Sequence, residues 1–213
     1  MPARLDLRLY LVTDPAGCMG RDLAWVVAEA LAGGVTMVQL REKQATTREF
    51  LERAWRIKPI CDAAGAPLII NDRVDVALAV GAAGVHLGRQ DMPYADARRL
   101  LGPRAIIGLT VHDMAELEEA KATDADYFGL GPVFPTRTKP DAPAPWDMDE
   151  YARASVLAGR PVVAIGGIGP HNARIVLAAG AHGLAVSSAI CSADSPKWAA
   201  MELAALHARL WPS

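Results

Sequence analysis

Residues 80–87 read VGAAGVHL: small residues that suit a helix end, glycine, then an apolar, β-branched run. The same design returns as LAGGV at 31–35 and as AAGAHGLAV at 178–186. In each, a helix end passes through glycine straight into a strand, the way short glycine αβ loops join βαβ units. Outward from these three joints, strand-like runs continue along the chain at 8–13, 36–41, 67–72, 84–88, 105–110, 126–131, 161–167 and 183–188. They are near-continuously apolar rather than alternating, which suits parallel strands covered on both faces. Helical patterns lie between them, among them DLAWVVAEALAGG, TTREFLERAWRIKPICDAAG and HNARIVLAAG. In the last, Ile175, Ala178 and Ala179 predict the helical face and Gly180 its C-cap. Eight strand–helix units in 213 residues predict one α/β domain over 1–213, a single (β/α)8 TIM barrel. The alternative, an open doubly wound sheet, finds no G-x-G-x-x-G after the first strand.

Composition narrows the function. An apolar fraction of 52% supports one sizeable core, and a net charge of -2 marks neither a nucleic-acid nor a membrane surface. Cys18, Cys61 and Cys191 fit no disulfide framework or metal spacing, so they predict reduced thiols and a cytoplasmic protein. The charged N-terminal run MPARLDLRLYLVTD does not suit a signal peptide, and no run predicts a transmembrane helix.

A barrel of this kind collects its active site at the C-terminal ends of its strands. Gln39, Arg41 and Lys43 follow the second strand, Asn71 and Asp72 the third, and Asp91 the fourth. Thr110 ends the fifth, with His112 close behind. After the sixth comes GLGPVFPTRTKPDAPAPW (129–146), a stiff proline-rich loop carrying Thr136, Thr138 and Lys139. Arg41 and Lys43 share a side of an extended strand end. With Lys139 they suit a polyanion such as pyrophosphate, which the arginine fork grips bidentately; otherwise they are solvated charges paired with Glu42. Asp72 and Asp91, on neighbouring strands beside cations, suit Mg²⁺, which takes one or two carboxylates, waters and phosphate oxygens; otherwise both aspartates are helix caps. Gly166, Gly167 and Gly169 after the seventh strand, with Ser187 and Ser188 after the eighth, suit a second phosphate cradle, or else tight packing. Two phosphorylated ligands, one with Mg²⁺, point to a transferase with pyrophosphate as leaving group. His86, inside an apolar strand, reads as a core residue. His171, His182 and His207 show no metal spacing, and Trp146 alone among the tryptophans falls near the site.

Taken together, VQLREK (38–43), IINDRVDVALAVGAAGVHLG (69–88), Asp91, GLTVH (108–112), DYFGLGPVFPTRTKPD (126–141), AIGGI (164–168) and VSSAI (186–190) resemble the thiamine-phosphate synthase family, in family order over nearly the whole chain. The resemblance implies an Mg²⁺-dependent enzyme that joins hydroxymethylpyrimidine diphosphate to thiazole phosphate, giving thiamine phosphate and pyrophosphate. It implies that Gln39, Arg41, Lys43, Asn71, Thr110 and Lys139 hold the pyrimidine diphosphate, with Arg41, Lys43, Thr110 and Lys139 acting on the leaving group. Asp72 and Asp91 would hold the metal; Thr136, Thr138, Gly167, Ser187 and Ser188 would hold the thiazole phosphate. Family chemistry is dissociative, through a pyrimidine-methyl cation, and needs no dedicated base. Members are often dimers or trimers, so the resemblance extends to self-association. Arg89–Gln90 departs from the family's usual Gln-Glu, and Thr110 from its usual serine; no glycine occurs between Pro132 and Ala158. The related thiazole tautomerases tend to lose parts of the acidic and TxTK sets, which are complete here. A phosphate-ligand binder without turnover is the third reading.

Overall fold

The computed structural model describes residues 5–136, 138 and 143–210. Strands β1 (Leu9–Val12), β2 (Met37–Leu40), β3 (Leu68–Asn71), β4 (Gly84–Leu87), β5 (Ile106–Val111), β6 (Tyr127–Leu130), β7 (Val162–Ile165) and β8 (Gly183–Val186) pair in sequence order into a closed parallel barrel. β1 closes on β8, with Leu9 opposite Leu184 and Leu11 opposite Val186. Each apolar run of the sequence is a strand, its ends shifted by at most two positions. Around the barrel run α1 (Leu23–Ala32), α2 (Thr47–Ala64), α3 (Val74–Val80), α4 (Tyr94–Leu101), α5 (Met114–Lys121), α6 (Met148–Leu157), α7 (Ala173–Ala178), the short α8 (Ser188–Cys191) and α9 (Pro196–Leu210). No helix among the described residues is long and apolar enough to cross a membrane.

Side chains along each strand alternate between two buried layers. Leu9, Leu11, Val38, Leu40, Leu68 and Ile70 pack outward with helix residues such as Val26, Val27, Phe50 and Leu203. Tyr10, Val12, Met37, Ile69, Tyr127 and Val163 form a separate cluster inside the barrel. Both layers are buried, which is why the strands read as continuous apolar runs.

The glycine joints are one motif used repeatedly. After α1, Val35 N–H donates to Ala30 C=O (3.1 Å) and Gly34 N–H to Leu31 C=O (3.0 Å). The same pair of bonds follows α2, α3 and α7, where Ala66 donates to Cys61, Ala82 to Ala77 and Ala181 to Val176. This is the Schellman closure, which satisfies the last carbonyls of a helix and needs a left-handed residue. Gly34, Gly65, Gly81 and Gly180 supply it, with φ of 104°, 67°, 62° and 99°. In all four, the next strand starts three residues after the glycine. The fourth joint, at Gly65, was not visible as a repeat because Pro67 breaks the small-residue pattern.

The α7 prediction was wrong in phase. Ala173, Val176 and Leu177 face the core, whereas Ile175 is 49% exposed. The helix is only six residues long, too short for apolar spacing to fix a face. Its C-cap is Ala179, with Gly180 one position beyond.

Candidate active site

The C-terminal ends of the strands surround a cavity of about 450 Å³, within the range of small-molecule sites. Gln39, Arg41, Lys43, Asn71, Asp72, Asp91, Thr110, Thr136, Thr138, Gly167, Ser187 and Ser188 all line it. Lys139 lies outside the described residues. Trp146, expected near the site, instead packs edge-on to Tyr151 in the outer core (centroids 6.3 Å apart), where the apolar faces of both rings are dry.

The acidic corner is built by backbone geometry. Asp72 follows β3 with φ 63°, a conformation most side chains avoid. Its N–H donates to His86 C=O (2.9 Å), and Lys43 Nζ donates to its Oδ2 (2.6 Å). Asp91 Oδ2 accepts from Gly88 N–H (2.7 Å). Burial, and then the neighbouring Asp72 carboxylate, pushes the Asp91 carboxyl up to about 6. Neither aspartate caps a helix: Arg73 precedes α3 and Pro93 precedes α4, neither with a side-chain cap. Among the described residues, no three His, Cys, Asp or Glu side chains gather into a metal cluster. Two crowded carboxylates therefore make the acidic corner, a set that fits magnesium, whose remaining ligands are waters and phosphate oxygens.

Glu42 does not neutralise the cations beside it. It is buried against Arg53 of α2, and burial raises its carboxyl pKa against the pull of that guanidinium. Arg41 and Lys43 are left facing the cavity. Arg41 is anchored through its backbone, whose N–H donates to Thr13 Oγ1 (3.0 Å).

Across the mouth, the loop after β6 is pinned to β7. Val133 N–H donates to Ile165 C=O (2.9 Å) and Phe134 N–H to Gly166 C=O (3.1 Å). A Cβ on Gly166 would stand 2.7 Å from Pro132 Cβ, and one on Gly167 2.5 Å from Pro135 O. Close packing thus accounts for this glycine pair. The same bare backbone leaves Gly167 on the cavity wall. Asn172 holds the turn, donating to Gly167 C=O (2.9 Å) and accepting from Gly169 N–H (2.8 Å). Ser187 precedes α8, and its buried Oγ has no partner among the described residues.

Sequence reasoning missed the floor. Tyr10 and His86 line the cavity, and His86 bonds Tyr127 Oη and Thr110 Oγ1 (2.9 and 2.8 Å). An inward-facing polar residue in a two-sided apolar strand leaves no periodic signal; the glycines opposite, Gly108 and Gly129, were the available clue. His112 also lines the cavity, and Glu116 Oε2 accepts from its N–H (2.8 Å) and pairs with its Nδ1 (2.9 Å). Arg89 joins the same carboxylate (3.3 Å).

Basic, acidic and hydroxyl groups facing one another across the C-terminal mouth define a (β/α)8-barrel enzyme that handles phosphorylated substrates. Residues 9–190 match the family described as thiamine monophosphate synthase. The chain is 52% identical over 197 residues to the thiamine-phosphate synthase of Albidiferax ferrireducens, covering 92% of this chain and 90% of that one. It is 48% identical over 202 residues to that of Chloroflexus aurantiacus, covering 95% and 93%. The solved thiamine phosphate pyrophosphorylase of Pyrococcus furiosus superposes with a TM-score of 0.87 at 39% identity, covering 96% of each chain. The chain belongs to the thiamine monophosphate synthase family.

Proposed function

We infer that this cavity joins hydroxymethylpyrimidine, supplied as its diphosphate, to the ring nitrogen of thiazole phosphate, releasing pyrophosphate and thiamine phosphate for thiamine biosynthesis. The observation that carries this reading is the meeting of Lys43, Asp72 and Asp91 at one corner, with Arg41 and Thr110 lining the same cavity. Arg41 and Lys43, with Lys139, hold the diphosphate, and Thr110 donates to it. Gln39 and Asn71 position the pyrimidine. Asp72 and Asp91 would hold Mg²⁺, which supplies positive charge to the leaving diphosphate. As the carbon–oxygen bond breaks, the electron pair leaves with pyrophosphate, and the cations beside it stabilise the charge that develops.

Thr136, Thr138 and the backbone at Gly167, Ser187 and Ser188 hold the thiazole phosphate so that its nitrogen faces the pyrimidine methylene. Val12, Val163, Ile165 and Ala185 make an apolar wall in the same cavity, which limits capture of the cation by water. Three free, buried cysteines support a reducing compartment, the cytoplasm.

The test is direct. The protein is mixed with both phosphorylated substrates, with and without Mg²⁺, and thiamine phosphate is followed as its oxidised fluorescent derivative. Product that needs Mg²⁺ and both substrates is expected. A folded protein that makes none overturns the reading, and a thiazole tautomerase assay on the same sample then identifies the alternative.

A further inference from the structure

We propose that Gln39, Tyr10, Tyr127, His86 and Thr110 form one directed hydrogen-bond chain beneath the cavity, whose proton order makes the Thr110 hydroxyl a donor to the diphosphate. The proposal rests on the placement of the diphosphate given above. The links are Gln39 Nε2 to Tyr10 Oη (2.7 Å), Tyr10 Oη to Tyr127 Oη (2.9 Å), Tyr127 Oη to His86 Nδ1 (2.9 Å) and His86 Nε2 to Thr110 Oγ1 (2.8 Å).

The direction follows from the first link. An amide nitrogen only donates, so the Tyr10 oxygen accepts there. Tyr10 and Tyr127 are buried, at 1% and 0% exposure. Burial raises both phenols far above their ordinary range, so each keeps its proton. Among the described residues, Tyr10 Oη has one further hydrogen-bond partner, Tyr127 Oη, so the Tyr10 proton goes to the Tyr127 oxygen and the Tyr127 proton to His86 Nδ1. A ring nitrogen that accepts is bare, which puts the imidazole proton on Nε2. Nε2 donates to Thr110 Oγ1, and the Thr110 proton is left for a ligand in the cavity that Thr110 lines. In the opposite order, Thr110 would spend its proton on His86 and turn lone pairs toward the anion.

The barrel keeps room for this chain. A Cβ on Gly108 would lie 2.1 Å from the Tyr127 ring, and one on Gly129 3.2 Å from His86. Tyr127 stacks tilted on His86 and edge-on to Tyr10, with centroids 5.5 and 5.9 Å apart. Tyr10, Tyr127 and His86 are thus positioning residues that act through Thr110.

The experiment has two arms. In the first, the protein carries ¹⁵N-histidine, with His86→Asn identifying the His86 signals. The order predicts a bare Nδ1 and a protonated Nε2 without any ligand; a protonated Nδ1 overturns it, whatever the enzyme's activity. In the second, kcat/KM for the pyrimidine diphosphate is measured for Tyr127→Phe, Thr110→Val and the double variant. Each single change is expected to lower it about 10- to 100-fold, the scale of a hydrogen bond to a charged group. Because Tyr127 acts through Thr110, the double variant should be no slower than Thr110→Val. Equal losses from Tyr127→Phe in both backgrounds would mean simple packing and overturn the proposal. Full activity in Thr110→Val would overturn the diphosphate contact, and the histidine spectrum would still stand for the order.

Discussion

Asp72 combines two demands at one residue: a carboxylate in the acidic corner and a backbone with φ 63°. Asparagine tolerates the left-handed region nearly as well as aspartate, so Asp72→Asn removes charge without adding strain. We predict a fall in turnover of at least about a hundredfold, with an unchanged thermal midpoint; near-normal turnover would remove Asp72 from the metal site. Glu42 gives a second prediction, with a sign set by burial. Its folded pKa is raised above the 4.5 of an ordinary glutamate. Stability is therefore complete below that value and is lost as pH rises through the higher folded pKa, where a buried charge must form. Glu42→Gln should melt higher than wild type near pH 7, and the difference should close near pH 4. Arg53, 40% exposed, remains hydrated in this variant. A melting difference of the opposite sign would show that the Arg53 pair outweighs desolvation.

Among the elements, the αβ joints separate two uses of glycine. At Gly81 (φ 62°) a Cβ meets nothing closer than Lys58 Cε at 3.9 Å, so the cost of alanine is backbone strain alone. Gly81→Ala should lose about 1 kcal/mol in urea titrations. At Gly84 a Cβ would stand 1.8 Å from Ile106 O, so Gly84→Ala should lose several times more or fail to fold. Similar small losses at both sites would mean that β4 and β5 can part without cost. These joints also explain what the sequence made legible. A Schellman turn needs glycine at a fixed place, and a strand buried on both faces needs an unbroken apolar run, so VGAAGVHL announced its fold. Ile175 did not announce its face, because six residues of helix carry less than two turns of pattern. Tyr10, His86 and Tyr127 stayed hidden for a related reason. When both faces of a strand are buried, the side that points into the barrel is set by register with neighbours far away in sequence.

For the whole molecule, closure gathers residues from 10 to 188 around one cavity. The loops after the strands could be read for chemistry as soon as the barrel was recognised, since their polar residues had nowhere else to converge. Their partners inside the mouth, such as Lys43 with Asp72, required coordinates. Because the site draws on many strands, ligand binding should stabilise the entire barrel. Mg²⁺ and pyrophosphate together, at about a hundred times the dissociation constant, should raise the melting temperature by about 5–10 °C. Asp72→Asn should abolish most of that rise, and an equal rise in the variant would place the ion elsewhere.

The three-residue spacing from glycine to strand, repeated after α1, α2, α3 and α7, divides the molecule's tolerance for insertion. On the face of these turns, one added residue would rotate the next strand by half its repeat and exchange its barrel-facing side chains for those that meet the helices. On the opposite face, connections already range from a few residues to the long proline-rich segment before α6, and none of them sets a register. An insertion at the mouth leaves the strands in register and falls on the site's own loops, while at the other end even a single codon changes which half of a strand is the inside.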